Sequence, residues 1–171
     1  AIRPLWAATE LGLASDHVMT DYKGGHTRTP EFLALNPNGH IPALEDDTPA
    51  GKVVVWESMA CTLYIAKAHG KGDGSDLSCA NLKEEGEALR WAFWVMTEME
   101  KDALTVLMHR MAMPEAERKA DLAEAAEGRL RVPLRVLEGV LSSQAAQGHE
   151  YLCANRFTVA DLCVASVEIG R

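Results

Sequence analysis

Of the 171 residues, 47% are hydrophobic, enough to build a core in one domain or in two small ones. The 25 acidic against 17 basic side chains leave a net charge of −8, which disfavours a nucleic-acid partner, because a phosphate backbone is met by clustered Lys and Arg. No apolar run reaches the length of a membrane span and no charged-then-apolar signal opens the chain, so a cytoplasmic protein without a membrane partner is expected.

Ile2, Leu5, Trp6, Thr9 and Leu13 recur at helical spacing, and Gly12 marks the end of that helix. His17 to Tyr22 reads as a strand carrying Val18 and Met19, broken by Gly24-Gly25. Thr29-Pro30-Glu31 is a helix start, a cap followed by proline at the first helical position, and Asn36-Pro37 stops the helix. Two strands follow, near Ile41 to Glu45 and Lys52 to Trp56, joined as a hairpin, and a helix runs from about Ser58 to His69. Gly70-Lys71-Gly72-Asp73-Gly74-Ser75 is a flexible linker by composition. The expected division is therefore a first domain over 1–70, a linker over 71–76 and a second domain over 77–171.

The second domain reads as all-helical. From about Asn81 to Met111, Leu89, Phe93, Met96, Ala103 and Leu107 trace one face and are expected in the core, while Trp91, Trp94, Glu98 and Asp102 lie off it, each either packed, the ordinary role, or lining a hydrophobic pocket or a dimer seam. Pro114 opens the next helix, which carries Leu130, Leu134, Leu137 and Leu141, is kinked or interrupted at Pro133, and gives way to a loop over 142–149. Thr158 and Asp161 stand three apart ahead of an apolar run, the spacing of a capping box, with Phe157 placed to staple onto Leu162. The histidines are dispersed and Cys61, Cys79, Cys153 and Cys163 form no Cys-x-x-Cys pair, so no metal site is expected. The thiols read as reduced and mostly packed, with Cys79 the most exposed.

The chemistry concentrates between Asn36 and Ser58. Asn-Pro and Asn-Gly are turn dipeptides, and Pro42 cannot donate to a ladder, so it belongs at a strand entrance, a place where a cis X-Pro bond occurs. A cis Ile41-Pro42 bond would turn the Ile41 N–H and C=O outward, able to hold a peptide as an added strand. Ser58 stands at a strand-to-helix junction, where free N–H groups, the helix dipole and a hydroxyl together suit a carboxylate. Ile-Pro alone is an ordinary strand entrance and Glu-Ser alone an ordinary helix cap. Their order and spacing together point to a small anionic peptide.

The run Asn36-Pro37-Asn38-Gly39-His40-Ile41-Pro42-Ala43-Leu44, followed by Trp56-Glu57-Ser58-Met59-Ala60 and Tyr64-Ile65-Ala66, resembles the glutathione-binding half of a cytosolic glutathione transferase of the bacterial type. The order α, β, α, β, β, α resembles a thioredoxin-like domain without its first strand. What the resemblance implies is an α/β plus all-α protein, a thioredoxin-like N-terminal domain followed by the all-helical transferase domain. It implies glutathione as co-substrate, with Ile41 and Pro42 pairing with the cysteinyl unit, Glu57 and Ser58 holding the γ-glutamyl end, and His40 reaching the glycyl carboxylate.

The activity implied is conjugation of the glutathione thiolate to an electrophilic, largely hydrophobic small molecule, a detoxification chemistry, in a homodimer. The family's thiol-activating Tyr, Ser or Cys is expected upstream of Ala1, so no catalytic residue is assigned. Arg3 lies either near the site or in solvent. The sequence is expected to be incomplete at both ends. Thr158 and Asp161 resemble the start of a buried helix in the transferase helical domain, although Ala154 and Asn155 stand where the family has glycine and an acid. Two alternatives stay open: a non-catalytic relative acting as a protein-interaction or regulatory module, and a glutathione-dependent isomerase, dehalogenase or disulfide reductase.

Overall fold

A computed structural model describes residues 2–168. The chain divides into two compact units, Ala1–Ser78 and Cys79–Arg171. The first mixes helices with a small sheet, and the second is all-helical.

Helix α1 spans Ile2–Glu10 and α3 spans Ser58–His69, and the two pack together. The inward face of α1 is Arg3, Pro4, Ala7 and Ala8, while Ile2 and Leu5 are exposed. The expected apolar stripe is thus rotated away from the core. Ala7 and Ala8 carry no bulk beyond Cβ and allow close approach to the buried Cys61, Thr62, Ile65 and Ala66 of α3. Trp6 is half-buried, its indole N–H donating to Glu10 at 2.9 Å one helical turn on.

No strand forms over 17–22, and Val18 and Met19 are 74% and 80% exposed. A strand exists only as part of a pair, and among the described residues no backbone lies alongside to take its N–H and C=O groups. Helix α2, Pro30–Leu35, begins as its sequence dictates: the Thr29 hydroxyl accepts from the Phe32 N–H at 3.3 Å, with Pro30 in the first turn.

The sheet is the antiparallel hairpin of β1, Ala43–Thr48, and β2, Gly51–Trp56, in a register running from Ala43↔Trp56 to Thr48↔Gly51. Its turn is closed by Thr48, whose hydroxyl donates to the Gly51 C=O at 2.7 Å and accepts from the Ala50 N–H at 3.2 Å. The hairpin is fastened to α3 at Asp46, whose carboxylate accepts from the Tyr64 hydroxyl at 2.7 Å and lies 2.8 Å from His69 Nε2. The Gly-rich segment after α3 is held in place by Asp76 and Ser78. Asp76 accepts from the N–H groups of Lys71 and Ser78, and the Ser78 hydroxyl accepts from the Gly72 N–H. Leu77 and Ser78 are buried, so this segment belongs to the first unit.

In the second unit α4 spans Leu82–Glu98, breaks at Met99, and continues as α5, Glu100–Leu107, which ends in a π-helical turn over Met108–Ala112. The buried face of α4 is Ala88, Trp91, Ala92 and Val95, whereas Leu89 and Phe93 are 48% and 67% exposed. The expected core stripe therefore faces outward. Ala88 and Ala92 beside Trp91 let neighbouring helices come close, a geometry that a Leu/Phe face cannot give. Pro114 precedes only a short turn, and α6 runs unbroken over Ala120–Ala146 with Pro133 inside it. Pro133 is buried on the same face as Ala126, Leu130 and Leu137, so its ring packs in the core in place of a side chain, and helix occupies most of the expected 142–149 loop. Helix α7 spans Val159–Glu168.

Candidate functional site

The hairpin register decides the geometry of the site. Because Ala43 pairs with Trp56, the residues just before β1 and just after β2 leave the sheet at the same end. That brings His40, Ile41 and Pro42 together with Glu57 and Ser58.

On the first side the backbone is fixed by Asn36, which is almost completely buried. Its side chain donates to the His40 C=O at 2.7 Å and accepts from the Asn38 N–H at 3.0 Å, while its C=O accepts from the Gly39 N–H at 2.8 Å. Gly39 sits at φ 61°, and a Cβ there would fall 2.7 Å from the Thr27 C=O. Arg28 braces the same turn, donating to the Asn38 C=O at 3.0 Å. The chain then enters β1 through a cis Ile41-Pro42 bond. Ile41 is 41% exposed, and its N–H and C=O take no hydrogen bond from any described residue. An extended ligand can pair there as an added strand. His40 is exposed beside it.

On the second side Glu57 is held at φ 71° and ψ 120°, the one non-glycine residue with positive φ among those described. A left-handed conformation at a residue with a full side chain is costly, of order 1–3 kcal/mol, and such outliers cluster at binding sites. Glu57 is the N-cap of α3 but makes no side-chain cap, and its exposed carboxylate takes no hydrogen bond or ion pair with a described residue. No feature of the sequence announces this backbone, since Glu is not a residue that favours positive φ.

Ser58 is half-buried at the first turn of α3. Its Oγ accepts from the Arg3 guanidinium at 2.9 Å. Arg3 is only 7% exposed, so it is a buried partner of the site. The available sequence signal was its place one turn before the inward-facing Ala7. The arrangement collects a free strand edge, an exposed carboxylate, a hydroxyl and a helix N-terminus at one end of the hairpin.

The thiols do not take part. Cys61 is buried with its Sγ 3.3 Å from the Val55 C=O, and burial pushes its pKa up to about 11. Burial does the same to Cys79, aided by nearby Cys153, again to about 11. Cys79 and Cys153 are equally half-buried, and all four cysteines are free. Thr158 and Asp161 lie in the second unit, away from this site in role. Asp161 accepts from the Thr158 N–H and hydroxyl, both at 2.9 Å, and from the Leu152 N–H at 2.8 Å, which anchors the start of α7. Phe157 meets Tyr151 edge-on. In the same unit Trp91 is core and Asp102 is bound by Arg129 at 2.7 Å. A cavity of about 410 Å³ is lined instead by Val106, Leu107, Met111 and Leu130.

Comparison with known proteins places these features in context. The family described as glutathione S-transferase, N-terminal domain, matches residues 1–68, and glutathione S-transferase, C-terminal domain, matches residues 95–168. Glutathione S-transferase F10 of Arabidopsis thaliana is 30% identical over 162 residues, covering 94% of this chain and 71% of that protein. Protein URE2 of Candida albicans is 37% identical over 87 residues, 50% of this chain, and the chain spans only 25% of that relative's length. The crystal structure of glutathione transferase URE2P6 from Phanerochaete chrysosporium, in complex with oxidized glutathione, superposes with a TM-score of 0.77 at 27% identity, covering 96% of this chain and 70% of that one.

Proposed function

The chain belongs to the glutathione S-transferase family, and from that premise we propose that it binds glutathione where Ile41-Pro42 and Glu57-Ser58 meet and conjugates the thiolate to electrophilic, largely hydrophobic small molecules. Ile41 pairs its N–H and C=O with the cysteinyl unit, beside Pro42. Glu57 takes the γ-glutamyl ammonium and Ser58 the α-carboxylate, with the α3 N-terminus adding its dipole. His40 meets the glycyl carboxylate. In the reaction the thiol loses its proton, the sulfur pair forms the S–C bond, and the electrophile's leaving group departs with its own bonding pair. The thiolate is the nucleophile, so catalysis rests on lowering the thiol pKa. Glutathione is the only co-substrate the reading calls for. A cytoplasmic homodimer working in detoxification is the setting that goes with it.

The observation that carries the reading is the Glu57-Ser58 junction: a residue held at positive φ with an uncommitted carboxylate, followed by a hydroxyl at a helix start, on the same end of the hairpin as the open Ile41 edge. Calorimetric titration of glutathione into the protein and its Ser58→Ala variant tests it. Saturable binding that weakens about tenfold in the variant, the scale of one hydrogen bond to a charged group, is expected. Unchanged affinity in the variant would remove the site.

The 37% identity to URE2 over half the chain favours a second reading, a protein of the same fold that acts as an interaction or regulatory module. Glutathione binding without consumption of any electrophile would select it. Isomerase, dehalogenase and disulfide reductase chemistry start from the same thiolate and are told apart by their products.

A further inference from the structure

A serine at a helix start ordinarily serves as an acceptor, its Oγ taking an orphan N–H of the first turn. Ser58 does not. The N-cap position is held by Glu57, and the Ser58 Oγ accepts from Arg3 Nη1 at 2.9 Å, across from α1. A hydroxyl has one proton to give and two lone pairs. With Arg3 on one lone pair, the group keeps its proton and one further lone pair, and the proton is given to no described residue. In a helix interior a serine would return that proton to the C=O four residues back. Ser58 is the first helical residue, and the position four back is Val54, inside β2. The local structure therefore leaves the hydroxyl proton available to a ligand at the helix start.

We infer that Arg3 is the positioning residue of this site: by filling an acceptor position on Ser58 it presents the Ser58 proton to the α-carboxylate of the γ-glutamyl group. The inference rests on the glutathione reading above and adds to it how the hydroxyl is oriented. Donation from a guanidinium also polarises the O–H, because hydrogen bonds in series strengthen one another. The arrangement is fixed before any ligand arrives. Arg3 is 7% exposed and lies on the face of α1 that packs on α3, so its side chain has little freedom to leave Ser58.

The test is a double-mutant cycle read by glutathione titration, with an analogue lacking the γ-glutamyl α-carboxylate as second probe. Ser58→Ala is expected to weaken glutathione about tenfold and Arg3→Met roughly fivefold or more, while the double variant binds like Ser58→Ala alone. The analogue should bind all four proteins alike. Arg3→Lys, which keeps a donor, should recover most of the loss. If Ser58→Ala binds glutathione as the wild type does, the site reading itself fails. If Ser58→Ala weakens binding but Arg3→Met adds its own loss on top, or weakens the analogue equally, Arg3 is merely structural and the inference is overturned. The unsubstituted protein supplies a readout independent of whether Arg3→Met folds. The Arg3 guanidinium N–H resonance should shift on adding glutathione and stay in place with the analogue, and a resonance unmoved by both would contradict the inference.

Discussion

Asp46 shows how one side chain can tie a hairpin to a helix. It accepts from Tyr64 and lies against His69, both on α3, and its carboxyl is held below the ordinary carboxylate range, by the Tyr64 hydrogen bond foremost, with His69 adding to it and burial opposing. A group whose pKa is lowered by folding stabilises the fold above its unfolded value and stops doing so as pH falls through its folded value. The clamp should therefore be intact near neutrality and be lost in acid, at and below about pH 4. Thermal midpoints measured from about pH 6 to pH 3 should fall more steeply for the wild type than for Tyr64→Phe, which lacks the bond. Parallel pH profiles would show that the contact does not matter. The residues of the candidate site are a different case. Asn36, Gly39 and Pro42 announce themselves as turn chemistry, and Ser58 as a helix start, because those types carry their backbone preference with them. Glu57 at positive φ and Arg3 under Ser58 are set by what packs around them, so nothing local in the sequence shows them.

At the scale of elements the same division holds. The start of α2, the hairpin and the Thr158–Asp161 spacing follow from caps, proline and turn residues acting over three or four positions. Faces and pairings do not. The segment 17–22 has the composition of a strand and, among the described residues, no partner strand. Pro133 and the extent of α6 depend on burial of the ring against its neighbours, which outweighs one lost hydrogen bond. On α4, hydrophobic periodicity marks both Leu89/Phe93 and Trp91/Val95, and only packing decides that the second set is core. That leaves Leu82, Leu89 and Phe93 exposed at helical spacing, at 84%, 48% and 67%. An exposed apolar stripe of this kind suits a protein contact, and it is proposed, in place of Trp91, as the seam of the homodimer. Sedimentation should show a dimer at micromolar concentration and a monomer for Phe93→Glu. A wild-type monomer, or a variant that stays dimeric, would place the seam elsewhere or remove it.

For the molecule as a whole, the change from mixed to all-helical pattern along the chain corresponds to two compact units, and the candidate site lies within the first of them. By composition the Gly-rich stretch reads as a linker, because composition reports backbone freedom. Asp76 and Ser78 instead hydrogen-bond its amides and join it to the first unit. What the second unit contributes, a hydrophobic pocket or a partner surface, is written in side-chain packing and is the least legible part of the sequence. The proposed function requires glutathione to occupy the end of the hairpin. The most direct measurement is the amide ¹H–¹⁵N spectrum of the protein during a glutathione titration. The account predicts saturable shifts largest at the amides of Ile41, Ser58 and Met59, with the tip of the hairpin at Thr48 to Gly51 unmoved. Shifts centred on the second unit, or none at all at saturating glutathione, would contradict it.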